Sequence, residues 1–345
     1  MSPAAAPPSP SSSLPPLAEV LRSMRVVAIP TRTRFRGVTV REAAIFDAPQ
    51  GPSEFSPFTE YDDAEAAAWL AAALDYGWAE QPAVRLDRIE VNATVPAVAP
   101  DEVAEILARF PGCRTAKVKV AERGQELADD VARVRRVREL MGPAARVRVD
   151  ANTGWSVAEA VTALTALAEF ELEYAEQPCV SVPELAEVRD RLRTAGVPVR
   201  IAADESVRKA SDPLAVARAG AADLLIIKAQ PLGGVSRALD IVREANLPVV
   251  VSSALDTSVG IAMGAHLAAA LPEGMLAGAC GLGTVALLSD DVTDTPLVPV
   301  DGSVPVGRPT LSEASLARTA ASPERTAWWA ERVSRCHALL TTGAV

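Results

Sequence analysis

Three things are scarce in this chain of 345 residues: aromatic side chains, at 4%, closely spaced cysteine, and any block of positive charge. With a hydrophobic content of 49% and so few rings, the interior has to be built from Ala, Val and Leu. Cys113, Cys179, Cys280 and Cys336 lie far apart with no CxxC spacing, which suggests neither a zinc site nor a disulfide framework; reduced cytosolic thiols fit the pattern. The formal net charge is −10 and no basic stripe offsets it, so phosphate-backbone binding is not the main task and no nucleic-acid partner is expected. No apolar run approaches the length of a membrane span, so no membrane partner is expected either. The opening MSPAAAPPSPSSSLPP lacks the charged start and apolar core of a signal peptide. Residues 1–16 read as a disordered Pro/Ser tail, and the expected localisation is cytoplasmic.

The length suits a single barrel with a smaller domain attached. From Met24 to about Phe46 the pattern predicts two strands around the turn-prone Phe35-Arg36-Gly37. Residues 47–60, DAPQGPSEFSPFTE, form a loop, and DDAEAAAWLAAALD starts a helix with an acidic cap region, completing a small α+β unit. Leu86 to Val95, LDRIEVNATV, reads as one buried strand, followed by a helix from Pro100 to Phe110. Strand-like runs then end on a polar residue again and again: TAKVK at Lys119, RVRVD at Asp150, EYAE at Glu176, VRIAAD at Asp204, DLLIIK at Lys228, LPVVVSS at Ser252 and Ser253. Each run is followed by a helical stretch, and the spacing of about 24 to 31 residues is close to one βα unit of a barrel. Polar groups at so many successive strand ends favour a closed barrel over an open doubly wound sheet, because in a barrel those ends converge on one face. From about Val292 the chain returns to Pro-rich loops, and an amphipathic helix around Pro323 to Leu340 is expected outside the barrel or on the small domain.

Period-2 alternation sends Lys117 and Lys119 to one face of their strand and the flanking valines to the other. A lysine pair on the inner side of a central strand needs carboxylates close by. Asp150, Glu176 and Asp204 end three consecutive strands, and in a barrel they stand side by side as three hard oxygen donors. That is the donor set of a magnesium site, with the remaining octahedral positions left to water or substrate. Lys119 ends the strand before this trio and Lys228 the strand after it. A substrate carboxylate on the metal between them would present its α-carbon to an amine on each face, and the metal would stabilise the enediolate formed on proton loss. Lys117, beside Lys119 and near the metal, would keep part of the base neutral near physiological pH.

The lysine pair in KVKV, DAN at Asp150 to Asn152, EQP at Glu176, ADES at Asp204 and IKAQP with Lys228 resemble, in order and spacing, the muconate-lactonizing subgroup of the enolase superfamily. Within it, RFRGVTVREAAIF, GPSEFSPFTEY, VNATVP and SSALDTSVGIA resemble the o-succinylbenzoate synthase family of menaquinone biosynthesis, actinobacterial forms above all; the resemblance covers about residues 24 to 290. It implies a modified TIM barrel, (β/α)7β, with an α+β capping domain whose loop around residues 47–60 closes over the substrate. The corresponding boundaries are a cap over 17–87, a barrel over 88–291, and a segment over 292–345 packing on both. By the same resemblance Lys119 removes the α-proton and then assists departure of the hydroxyl, Lys228 stabilises the enediolate as a cation, and Asp150, Glu176 and Asp204 hold Mg²⁺, for which Mn²⁺ can substitute. Lys117, Asn152, Ser252, Ser253 and Gly281 are the expected substrate contacts, the last through free backbone N–H groups of GACGLGT. GPSEF departs from the pattern of many relatives, which carry a bulkier residue before the Glu.

Taken singly, each acid would read as a helix cap or a surface ion-pair partner, and a lone KxK as a solvated edge strand. Together, in order and at βα spacing, they point to a site. His266 lies in an apolar helical stretch and reads as a satisfied core histidine; its absence from a strand end argues against the mandelate-racemase subgroup. GACGLGT has the wrong spacing for a dinucleotide loop. Three functions remain: a lyase forming o-succinylbenzoate, an isomerase (N-acylamino acid racemase or dipeptide epimerase) using the same lysines, and a non-catalytic carboxylate-binding protein. The expected partner is a small carboxylate substrate, with the protein a monomer or small homo-oligomer.

Overall fold

The computed structural model describes residues 14–35, 37–208 and 212–343. Most of the tail expected over residues 1–16 lies outside them. A short helix α1 (Leu17–Ser23) leads into the hairpin β1 (Met24–Phe35) and β2 (Val38–Phe46), paired antiparallel from Met24↔Phe46 to Phe35↔Val38. Gly37 takes φ +80° at the turn, a conformation glycine adopts without steric penalty. β3 (Ser53–Phe55) adds to β2, and α2 (Asp63–Trp78) packs across them, its N-terminus capped by the Asp62 carboxylate accepting from Glu65 N at 2.8 Å. The end of the hairpin away from the turn is buried on both faces. Val27, Ile29, Ala43 and Ile45 join the main core, whereas Val26, Ala44 and Phe46 join a second core with Trp69 and Leu70 of α2.

The single buried strand expected over Leu86 to Val95 is two: β4 (Arg88–Glu90) and β5 (Ala93–Val95). Arg88 and Glu90 are exposed, and β4 pairs outside the barrel, so only the second half is a barrel stave. The chain then alternates: α3 (Val103–Ala108), β6 (Thr115–Lys119), α4 (Leu127–Met141), β7 (Arg146–Asp150), α5 (Val157–Leu167), β8 (Leu172–Glu176), α6 (Val182–Thr194), β9 (Ile201–Ala203). It continues through the short helices α7 (Glu205–Arg208) and α8 (Ala215–Arg218), β10 (Leu224–Ile227), α9 (Val235–Ala245), β11 (Val249–Val251) and α10 (Ser258–Ala270). β5 to β11 form one parallel sheet in sequence order.

Residues 276–281 close the barrel without forming a ladder. Leu276 and Gly281 bridge in parallel to Val249 and Ser252 on one side, and Cys280 bridges to Val91 on the other. The bonds are Ala277 N to Val249 O at 2.7 Å, Gly281 N to Val251 O at 2.8 Å, and Cys280 N to Glu90 O at 2.7 Å. Seven strands, seven helical connections and this last stave make the expected (β/α)7β barrel. Alternation sorts the side chains: Val118, Val149, Ala175, Ile201, Leu225 and Val251 face the surrounding helices, while Tyr174, Ala202, Leu224, Ile226 and Val250 fill the lower barrel interior. α10 is apolar all round because the barrel holds one side and the cap the other.

β12 (Ser303–Pro305) returns to pair with β4, α11 (Glu313–Thr319) packs near β1, and α12 (Pro323–Thr342) lies on the small domain, one of its two expected places. Trp329, Val333 and Cys336 of α12 share the second core with Phe55 and Trp69. All four cysteines are free, and among the described residues no helix is long and apolar enough to cross a membrane.

Candidate active site

The strand register sets the site. Lys119 pairs with Asp150 and Asp150 with Glu176 across β6, β7 and β8, so their inward side chains are neighbours at one end of the barrel. Asp204 follows β9 and Lys228 follows β10. β6 and β10 are four staves apart in a ring of eight, so Lys119 and Lys228 approach from opposite walls, with the three acids along the arc between them. Asp150, Glu176 and Asp204 are each 1% exposed and the three lysines are buried with them.

Buried charges require partners, and these have them. Lys117 Nζ donates to both Glu176 oxygens at 2.9 Å and lies 3.0 Å from Asp150 Oδ2. Lys119 Nζ donates to Asp150 Oδ2 at 2.6 Å and Asn152 Oδ1 at 2.5 Å, with the Phe35 ring centred 5.2 Å away. Lys228 Nζ donates to Asp204 Oδ2 at 2.5 Å. Burial alone would lower the Lys117 pKa, but Asp150 and Glu176 outweigh it and hold it above the ordinary lysine value. The neighbour that the sequence gives Lys119 is thus firmly protonated. Burial would raise Asp150, yet Lys117 and Lys119 together bring it well below the usual carboxylate range. Glu176 goes the other way, pushed up to about 7 by burial and the Asp150 charge.

That elevation is the signature of carboxylates crowded together, and a divalent cation would relieve it. The donor set, three carboxylates at adjacent strand ends, fits a hard metal ion. Among the described residues no three acidic, histidine or cysteine side chains are yet drawn onto a common centre. The ammonium groups stand between the carboxylates, and Lys117 spans two of them.

The pocket enclosed by these groups is lined by Lys117, Lys119, Asp150, Asn152, Asp204 and Lys228, together with Ser252, Ser253 and Gly281. All the expected contacts are therefore brought together. Glu176 stands behind the lining, bonded to Lys117. One expectation is corrected: the Gly281 N–H is not free for a substrate carboxylate, because it donates to Val251 O to close the barrel. Its carbonyl accepts from Ser253 N at 3.1 Å and Ser253 Oγ at 2.7 Å, and a Cβ at this position would stand 2.4 Å from Ser252 Oγ. Neither serine caps the following helix; Thr257 does, its hydroxyl accepting from Val259 N at 3.2 Å.

Sequence reasoning did not single out Phe35, Phe58, Thr94, Ala254 and Thr284, which complete the lining. Nor did it assign Gln177. Its Oε1 accepts from Asp204 N at 2.9 Å and Ser206 N at 3.2 Å, and its Nε2 donates to Ser206 Oγ at 2.7 Å, which fixes the strand end carrying Asp204. The φ of +41° at Gln177 and +43° at Asn152 shows the backbone turning sharply at both strand ends. His266 is the satisfied residue expected, its Nε2 2.7 Å from Pro82 O and its ring edge-on to Tyr76.

The free volume inside the pocket is about 20 Å³, room for roughly one water. A crevice of about 690 Å³, bounded by Thr33, Pro96, Val98 and Arg123, reaches the same Phe35 and Lys119 from outside.

Comparison with known proteins places this geometry. A family model described as enolase C-terminal domain-like matches residues 99–310, and one described as enolase N-terminal domain-like matches 26–77. The o-succinylbenzoate synthase of Mycobacterium tuberculosis is 56% identical over 328 residues, 95% of this chain and 97% of that protein. That of Mycolicibacterium smegmatis is 56% identical over 331 residues, 96% of this chain and 100% of the relative. Among solved structures, the N-succinyl Arg/Lys racemase from Bacillus cereus superposes with a TM-score of 0.71 at 18% identity, covering 87% of this chain and 97% of that one. The 2-chloromuconate cycloisomerase from Rhodococcus opacus gives 0.69 at 23%, covering 87% and 98%. At such identities the likeness is one of fold.

Proposed function

The chain belongs to the enolase superfamily, in the family of the o-succinylbenzoate synthases, and from that premise we propose that it dehydrates 2-succinyl-6-hydroxy-2,4-cyclohexadiene-1-carboxylate to 2-succinylbenzoate. The observation that carries the reading is the placement of Lys119 and Lys228 on opposite walls of a buried pocket with three carboxylates between them.

Lys119 takes the α-proton. In the resting site its ammonium donates to Asp150 and Asn152; once that ammonium has lost a proton to solvent, the neutral amine accepts the α-proton and, held in the same direction, delivers it to the departing hydroxyl on the same face, which leaves as water. The elimination is syn for that reason. Lys228 stays a cation on the far wall and stabilises the enediolate by charge. Asp150, Glu176 and Asp204 would hold the divalent metal, magnesium by their chemistry, and when bound it would draw charge from the substrate carboxylate. In the resting site, before Lys119 gives up its proton, the three lysines and three carboxylates offset one another, so a divalent cation and a dicarboxylate would enter as a balanced pair. The product would serve menaquinone biosynthesis, in the cytoplasm, with the enzyme a monomer or small homo-oligomer.

The same opposed lysines support a second reading, racemisation or epimerisation of N-acylamino acids or dipeptides, in which each lysine exchanges the α-proton with one enantiomer. The test is to supply purified protein and Mg²⁺ with the cyclohexadiene substrate and, in parallel, with N-acylamino acids, following α-proton exchange into D₂O. Faster dehydration is expected. Racemisation faster by a wide margin would replace the first reading with the second, and no exchange on any carboxylate would leave a binding protein.

A further inference from the structure

Glu54 of β3 is fully buried, and it belongs to the cap, yet one of its carboxylate oxygens bonds to the barrel. Its Oε2 accepts from Thr257 Oγ1 at 2.5 Å, Gly260 N at 2.9 Å and Thr257 N at 3.2 Å, three donors at the N-terminus of the 13-residue helix α10. Helix N-termini carry unpaired N–H groups and favour an anion, but a local side chain ordinarily supplies it. Here the acceptor arrives from about 200 residues earlier in the chain. The fit is tight, since a Cβ at Gly260 would stand 2.6 Å from Asp256 Cβ and 2.9 Å from Gln230 Nε2.

A second cap residue reinforces the contact. Arg41 of β2, buried, donates from Nε to Leu255 O at 3.1 Å and from its terminal nitrogen to Ser56 O, lies 3.9 Å from Asp256, and stacks over the Phe58 ring at 4.7 Å. Glu54 Oε1 also accepts from Ser56 Oγ at 2.6 Å. Leu255 is held at φ +64°, a strained backbone for a branched side chain, so the turn from Ser253 to α10 keeps its shape only because its surroundings impose it. The two segments so tied each end in the active-site lining, Phe58 on the cap side and Ser253 and Ala254 on the barrel side.

We propose that Glu54 is a positioning residue of the active site: by anchoring the cap loop to the N-terminus of α10 it fixes the wall formed by Phe58, Ser253 and Ala254, and so sets substrate affinity while leaving proton transfer at Lys119 untouched. The inference rests on the synthase reading above. It predicts that Glu54→Ala raises KM by roughly tenfold or more, the value of a lost buried bond to a charged group, with kcat changed less than about threefold. Glu54→Gln, which keeps an acceptor for the α10 amides, should fall between. A merely structural residue gives a different result, because partial unfolding lowers the concentration of active enzyme, hence apparent kcat, and leaves KM alone. That pattern would overturn the proposal.

If Glu54→Ala does not fold, Thr257→Val, which removes one of the three donors and keeps the volume, decides by the same split, with Thr257→Ser restoring the wild-type KM. Wild-type turnover is measured first. A wild-type protein inactive on the cyclohexadiene substrate sinks the synthase reading alone. Amide exchange then tests the anchor directly: in Glu54→Ala, residues 53–58 and 253–260 should lose protection together while α2 keeps its own, and unchanged protection in both segments would refute the anchor.

Discussion

Lys119 and Lys228 differ in what they touch, and the difference is testable. Lys119 shares Asp150 with Lys117 and is held by Asn152, whereas among the described residues Lys228 bonds to Asp204. Dehydration needs proton transfer on one face only. Lys119→Ala is therefore expected to abolish turnover and α-proton exchange together, a loss on the order of 10²–10⁴ or more. Lys228→Arg, which keeps a cation in another shape, should retain more synthase activity than Lys228→Ala, and any racemase activity should vanish in both. Equal activity in the two Lys228 variants would show that its charge is not what matters. These residues were legible because a strand has only two faces: once Val118 and Val149 are assigned outward, Lys119 and Asp150 must point in. Gln177 was not, because a glutamine at a strand end has no pattern of its own and its role depends on Asp204 N and Ser206 N arriving from the next unit. Gly281 was misjudged for a related reason, since backbone N–H groups look free in a sequence until the pairing of the last stave is known.

At the scale of elements, α12 is tied to the cap by a cluster that reports its own charge. Glu42 of β2 accepts from Arg325 Nε at 3.0 Å, from its terminal nitrogen at 2.6 Å, and from Trp329 Nε1 at 2.8 Å. Burial would raise the Glu42 pKa, but the bonds from Arg325 and Trp329 more than offset it, leaving it below the ordinary value of 4.5. A depressed carboxylate contributes stability above its unfolded pKa and loses it as pH falls through the folded one. Glu42→Gln should thus destabilise the protein by about 1 kcal/mol at neutral pH, a modest figure because Arg325 is a third exposed, and the difference from wild type should shrink below pH 4.5. A difference that stays constant under acid would assign the loss to packing. The N-terminal boundary belongs to this scale too. Residues 1–16 read as a tail, yet Leu14 packs against the second core and Pro15 O accepts from the His337 ring at 2.9 Å. A chain starting at Leu17 should be less stable to unfolding than one starting at Leu14, by about 1–2 kcal/mol. Proline-rich composition hid this, because contacts made by two residues leave no periodicity to detect.

For the whole molecule, the end of the hairpin buried on both faces joins cap and barrel into one body, so a ligand held at the barrel mouth stabilises everything that folds with it. The barrel was legible from its repeat of strand, polar end and helix; its closure was not, because residues 276–281 pair through isolated bridges and carry no strand-like run of their own. Cooperativity turns metal binding into a measurement that needs no substrate. Any ion that binds only the folded state raises its stability by mass action, about 2.7 kcal/mol at a hundred times Kd. With the typical unfolding entropy per residue that is a rise of about 4 °C in melting temperature for a chain of this length. Magnesium should produce such a concentration-dependent shift in the native protein, in a single transition. Glu176→Gln keeps the volume and removes one of three anionic donors, so its shift should be much smaller at the same magnesium concentration. The charge balance adds a sign. In the absence of metal that substitution also removes a carboxylate pushed up to about 7 by burial and Asp150, while leaving Lys117 its bond to Asp150, so the unliganded variant need not melt far below wild type. A Glu176→Gln protein that melts near wild type without magnesium and responds to it fully would take Glu176 out of the metal site, whatever its activity.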